Sequence, residues 1–165
     1  MNKRINKVFQ VVGMKNKGVY SNFGSEVPMN AQRFMSRIDE IKNHLGIEVS
    51  LFEPKKGEDH KEGHYYVGVL VKDKIDEVPT GMEYIEISGE FVSTRGSMTF
   101  VSDLYTSLQK WSKENGYYPT QKSYFIEMYH QVEEGEEVEI FIPVISSIAN
   151  VTSKESEIVN NKIFN

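Results

Sequence analysis

The sequence predicts an α+β domain: two copies of a strand-helix-strand-strand unit forming a mainly antiparallel sheet, with two helices packed on one face. Three observations predict it. Short segments of strand-like alternation recur along the whole chain, and an apolar spacing of three and four residues occurs once in each half. The two halves also run through their elements in the same order, which suits a sheet covered by helices.

The elements follow in sequence. Residues 5–12 place Ile5, Val8, Phe9, Val11 and Val12 in a strand closed by Gly13. Residues 16–28 read as a turn, punctuated by Gly18, Asn22, Gly24 and Pro28. Asn30 then caps a helix in which Phe34, Met35, Ile38, Ile41 and Leu45 share a face until Gly46 stops it. Residues 47–52 alternate as a half-buried strand, a charged loop covers 53–63, and 65–71 is a strongly apolar strand. Pro79, Thr80 and Gly81 mark the turn between the halves.

The second half opens with a strand at 84–88, bent or ended by Gly89, which Phe91 and Val92 continue. Val101, Leu104, Tyr105, Leu108 and Trp111 share one helical face, and Gly116 terminates that helix. Strands at 124–129 and 138–144 flank a turn at Glu134, Gly135 and Glu136. Phe34, Ile38, Ile41 and Gly46 precede Leu104, Leu108, Trp111 and Gly116 by 70 residues each. The expected organisation is one domain over residues 1–150, with pseudo-repeats at about 5–75 and 83–144. Residues 151–165 are expected to form a tail or a short helix.

Composition narrows the function classes. The chain has 165 residues, a formal charge of −5 and no cysteine, so disulfides, thiolate metal sites and a cysteine nucleophile are excluded. The acidic balance argues against binding a phosphate backbone, and no apolar run approaches the roughly 20 residues that span a bilayer. A cytoplasmic location is expected. His60 and His64 stand four apart in a charged loop beside Gly63, a poor setting for a helical metal pair, and no metal or other cofactor is expected. Aromatic residues, at 12%, are abundant.

The candidate chemistry lies where those aromatics alternate with acids. Along 123–130, Phe125, Glu127 and Tyr129 share one face of a strand while Tyr124, Ile126 and Met128 share the other. The second set reads as the helix-facing core. The first then puts a carboxylate between two aromatics on the uncovered face, either solvated there or at the floor of an aromatic cleft. Partial burial penalises an ionised carboxylate and a bound cation offsets the penalty; aromatic ring faces add about 0.5–2 kcal/mol per good cation contact. Glu139 and Phe141 share a face of the last strand and are expected to line the same cleft. Tyr66 and Phe52, from the corresponding strands of the first half, are candidates for the opposite wall.

The second half, with Val78-Pro79-Thr80-Gly81-Met82, Ile85 through Phe91, Tyr105 through Tyr117, Glu127-Met128-Tyr129 and Glu137 through Pro143, resembles the GyrI-like small-molecule-binding family. That family includes the effector-binding domains of AraC- and MerR-type transcription regulators. The resemblance spans about residues 7–144. It implies a duplicated fold with a ligand cleft between the halves, which the strand pattern leads one to expect on the sheet face opposite the helices, and a central glutamate, here Glu127, that engages aromatic cations. Tyr129 matches the tyrosine two residues on; Phe141 stands where the family often has tyrosine. The chain leaves no room for a helix-turn-helix domain, so the resemblance implies a stand-alone binder of small aromatic or cationic ligands without direct nucleic-acid or membrane binding. It also implies two alternatives. One is a hydrolase of reactive cyclopropane-bearing genotoxins, in which Glu127 or Glu139 would act through a water with Tyr129 as acid partner; the other is a gyrase-protecting interaction protein.

Overall fold

The computed structural model describes residues 1–145; the expected C-terminal tail or helix lies outside them. Among these residues, seven strands and two α-helices follow in the order β1 (Lys3–Val19), α1 (Phe23–Met35), β2 (His44–Phe52), β3 (Glu62–Val71), β4 (Glu83–Ser97), α2 (Val101–Glu114), β5 (Tyr118–Pro119), β6 (Phe125–Val132) and β7 (Gly135–Ile145). The α+β class and the two strand-helix-strand-strand units stand, the second with an added two-residue strand, β5, after its helix. The sheet runs β4-β1-β3-β2-β6-β7-β5, antiparallel throughout.

One further pairing changes the meaning of its two faces. β4 also pairs with β7, from Phe91↔Pro143 to Ser97↔Glu137, so six strands close into a barrel and the helix-free face becomes its interior. A barrel this small is filled by side chains. Phe9, Phe91 and Phe141 meet edge to face inside it, with centroids 4.9–6.2 Å apart, among Val11, Val49, Leu51, Tyr66, Ile87, Ile126 and Met128. Gly13 and Gly68 pair directly across β1 and β3. A Cβ at Gly68 would stand 2.6 Å from the Val12 carbonyl oxygen, so that close approach requires glycine.

The outer face carries two further cores, one under each helix. α1 buries Val27, Ala31 and Phe34 against Tyr65, Val67, Val69 and Val71 of β3. Glu26 in its first turn and Arg33 in its last oppose the helix dipole favourably. α2 buries Leu108 against Val92, Val138, Ile140 and Ile142, and the Ser112 hydroxyl donates to the Tyr117 carbonyl at 2.6 Å beyond its end. Gly116 at φ +80° turns the chain there.

The first helix lies earlier than its apolar spacing suggests. It begins at Phe23, inside the stretch read as a turn, and ends at Met35; Ile38 sits in a 3-10 turn and Ile41 is extended, though buried. The half-buried Ile38 and the buried Ile41 prolong the pattern past the helix end because the connecting segment packs on the same core. The repeat is correspondingly offset. The space beside Gly18 is filled by Glu26 and that beside Gly96 by Leu104, so equivalent strand-to-helix junctions stand 78 residues apart rather than 70.

Candidate functional site

β2 and β6 build the floor of a cleft that opens between the two helices. Their register sets Ser50 opposite Glu127 and Phe52 opposite Phe125, and directly paired residues project from the same side of a sheet. All four therefore rise toward the helices. Tyr20, Phe23, Val27 and Pro28, from α1 and the turn before it, form one wall, and Met98 and Tyr105 form the other. Pro28 lies inside α1 and donates no hydrogen bond, which frees the Gly24 carbonyl beside the cleft from its helical partner. The cleft encloses about 430 Å³, within the range of small-molecule sites.

Glu127 is the charged group at its base, and the residue is 8% exposed. Tyr105 donates to Oε2 and Tyr129 to Oε1, both at 2.6 Å, the length of charge-assisted bonds. Burial drives both phenols well above the usual phenol range and the Glu127 charge adds to the shift, so each stays a protonated donor. The Ser50 hydroxyl faces Tyr129 and favours its ionised form, yet falls short of hydrogen-bond geometry and is buried without a partner. Among the described residues no cation pairs with Glu127. A negative charge is thus held by two neutral donors in an apolar, aromatic setting, an arrangement that rewards an incoming cation.

Ring faces surround it. Tyr105 and Phe125 lie nearly parallel, 14° apart with centroids 6.5 Å apart, and Phe23 lies 6.1 Å from Phe52. Glu53, Pro54 and Lys55 form the rim. Glu53 accepts the His64 backbone N–H at 2.9 Å, which holds its carboxyl below the usual range with help from the charges of His64, His60 and Lys56. His60 and His64, dismissed as a metal pair from their spacing, both turn toward Glu53.

The structure brings Phe52, Phe125, Glu127 and Tyr129 together in this cleft. The cleft is on the helix-bearing face, contrary to expectation, because barrel closure claims the other. Phe141 and Tyr66 point into the barrel, Phe141 at 1% exposure, with the Tyr66 hydroxyl donating to Glu83 Oε1 at 3.2 Å. Glu139 shares their strand face and accepts from His130 Nε2 at 3.1 Å, away from the cleft. These three do not line it. The assignment of Tyr124, Ile126 and Met128 to the helix-facing core is likewise reversed: Ile126 and Met128 fill the barrel, and Tyr124 packs against that cluster. Tyr20, Phe23, Met98 and Tyr105 were missed as walls. Tyr105 carried a readable signal, since a tyrosine on the core-facing side of a helix needs a buried partner for its hydroxyl.

Comparison with known proteins identifies the fold and the family. No curated protein matches the sequence significantly. Among solved structures, SAV2435 bound to tetraphenylphosphonium superposes with a TM-score of 0.66 at 13% identity, over 94% of this chain and 98% of that one. The C-terminal domain of EcmrR matches with a TM-score of 0.58 at 14% identity, over 88% and 96%. An integron cassette protein from the mobile metagenome of Vibrio cholerae matches with a TM-score of 0.57 at 14% identity, over 87% and 95%. These likenesses show the shared fold. The sequence itself matches the Cass2 profile, described as integron-associated effector binding protein, over residues 5–144, and the chain therefore belongs to that GyrI-like effector-binding family.

Proposed function

We propose that this protein binds lipophilic aromatic cations in the cleft between its helices, with Glu127 as counter-charge and Phe52, Phe125 and Tyr105 as ring contacts. The observation that carries the reading is the Glu127 carboxylate, buried among aromatics, hydrogen-bonded by two phenols and lacking a cationic partner among the described residues. A neighbour of the same fold bound to tetraphenylphosphonium supports it. Binding of this kind suits drug sequestration or ligand sensing in transcription regulation. Both phenolic protons are committed to Glu127, so neither is free to protonate a leaving group, which favours binding over hydrolysis.

Titration with tetraphenylphosphonium tests the reading by calorimetry. Glu127→Gln keeps the shape and removes the charge. Truncating one partner of a buried charge pair costs about 2–5 kcal/mol, so affinity is expected to fall by at least about 30-fold. Equal affinity in the two proteins overturns the role of Glu127.

A further inference from the structure

We infer that the preferred ligands carry an anionic group, a carboxylate or its equivalent, in addition to the aromatic cation. This rests on the cation-binding reading of the cleft and names a ligand class within it. A second cavity of about 760 Å³ adjoins the cleft and shares Pro54, Lys55 and Phe125 with it. Its remaining wall includes Lys56 and Lys122 and contains no aspartate or glutamate. In a chain with 24 acidic and 19 basic residues, three lysines around an acid-free cavity are a local reversal of charge. Among the described residues Lys55 and Lys122 close no ion pair, while Lys56 lies close enough to Glu53 to lower its carboxyl.

The strand ladder puts these features in line. The Ser50/Glu127 rung is followed two residues on by the Phe52/Phe125 rung, about 7 Å further along the strands. Lys55 and Lys122 each lie three residues beyond that rung. Acid and aromatic rung therefore succeed one another along one face, and the segments that continue past the strand ends bring Lys55 and Lys122 to the wall of the adjoining cavity. A flat ligand resting on Phe52 and Phe125 directs its cationic end to Glu127 and a pendant anion to the lysines. Lysine ammonium groups on flexible stems are point charges with adaptable donors, suited to a small anion whose exact position varies between ligands.

The test pairs a rhodamine bearing a free carboxylate with the methyl ester of the same dye, which keeps the cationic ring system and removes the anion. Fluorescence titrations of the full chain compare wild type, Glu127→Gln and the double variant Lys56→Met/Lys122→Met. Lys56 and Lys122 are exposed and lie outside the cation cleft. The acid is expected to bind wild type more tightly than the ester, and the double variant is expected to lose about fivefold for the acid, as two exposed ion pairs would supply, and nothing for the ester. Raising salt is expected to narrow the acid–ester difference. Equal losses for both dyes, or an ester that binds wild type as well as the acid, overturn the inference while leaving the Glu127 reading intact. Indifference of both dyes to Glu127→Gln instead overturns the reading beneath it.

Discussion

Removing the Tyr129 hydroxyl isolates what holds Glu127 in place. Tyr129→Phe keeps the ring that packs against the α2 core and deletes one O–H, which donates at 2.6 Å to a carboxylate on a residue only 8% exposed. Hydrogen bonds to charged groups contribute about 1.5–3 kcal/mol, so the variant is expected to lose about 2 kcal/mol in urea unfolding at neutral pH. Glu127→Gln and the double variant complete a cycle, with an expected coupling of at least about 1 kcal/mol. A second signature lies at alkaline pH. The folded phenol is held well above its ordinary value of 10.0, first by burial and then by Glu127. The folded protein thus keeps a proton that the unfolded chain releases. This contribution is whole below pH 10 and is lost as pH rises toward the folded value, at about 1.4 kcal/mol per pH unit. Tyr129→Phe should therefore show a shallower alkaline decline by about that slope. An additive cycle together with an unchanged alkaline slope would refute the assignment of this bond as the support of Glu127.

Two further expectations separate the barrel from the cleft. Phe141→Ala opens a cavity between Phe9 and Phe91 and should cost about 3–5 kcal/mol in chemical denaturation while leaving the affinity of the folded protein for tetraphenylphosphonium unchanged; a selective loss of affinity would return Phe141 to the binding site. Glu48 has its carboxyl raised by burial, with Glu136 adding repulsion, so its folded value lies above the unfolded one and its ionised form costs stability at neutral pH. Glu48→Gln should raise the melting temperature at pH 7, and the gain should vanish near about pH 3, where both states are protonated.

Much of the site was legible in the strand period. Alternation alone puts Phe125, Glu127 and Tyr129 on one face, and no tertiary arrangement of an unbroken strand can separate them. It does not say which face turns inward, because here both are rich in apolar residues: Ile126 and Met128 on one side, Phe125 and Tyr129 on the other. The first helix was displaced for a related reason. Val27, Ala31 and Phe34 form its buried stripe, but Gly24 and Pro28 make that stretch look like a turn, and Ile38 and Ile41 extend the pattern beyond the helix. With the helix misplaced, Tyr20 and Phe23 fell in a turn and could not be recognised as a wall of the cleft.

The sequence by itself determined the duplicated element order and the company Glu127 keeps along its strand, since both follow from local periodicity. Only the tertiary structure decided where that face points. The β4–β7 pairing closes the barrel and fills the helix-free face with Phe9, Phe91 and Phe141. The space for a ligand is consequently left between the helices, where Tyr105, distant in sequence, reaches Glu127. Strand closure and helix spacing are set by contacts between remote segments, and a short-range pattern carries no record of them.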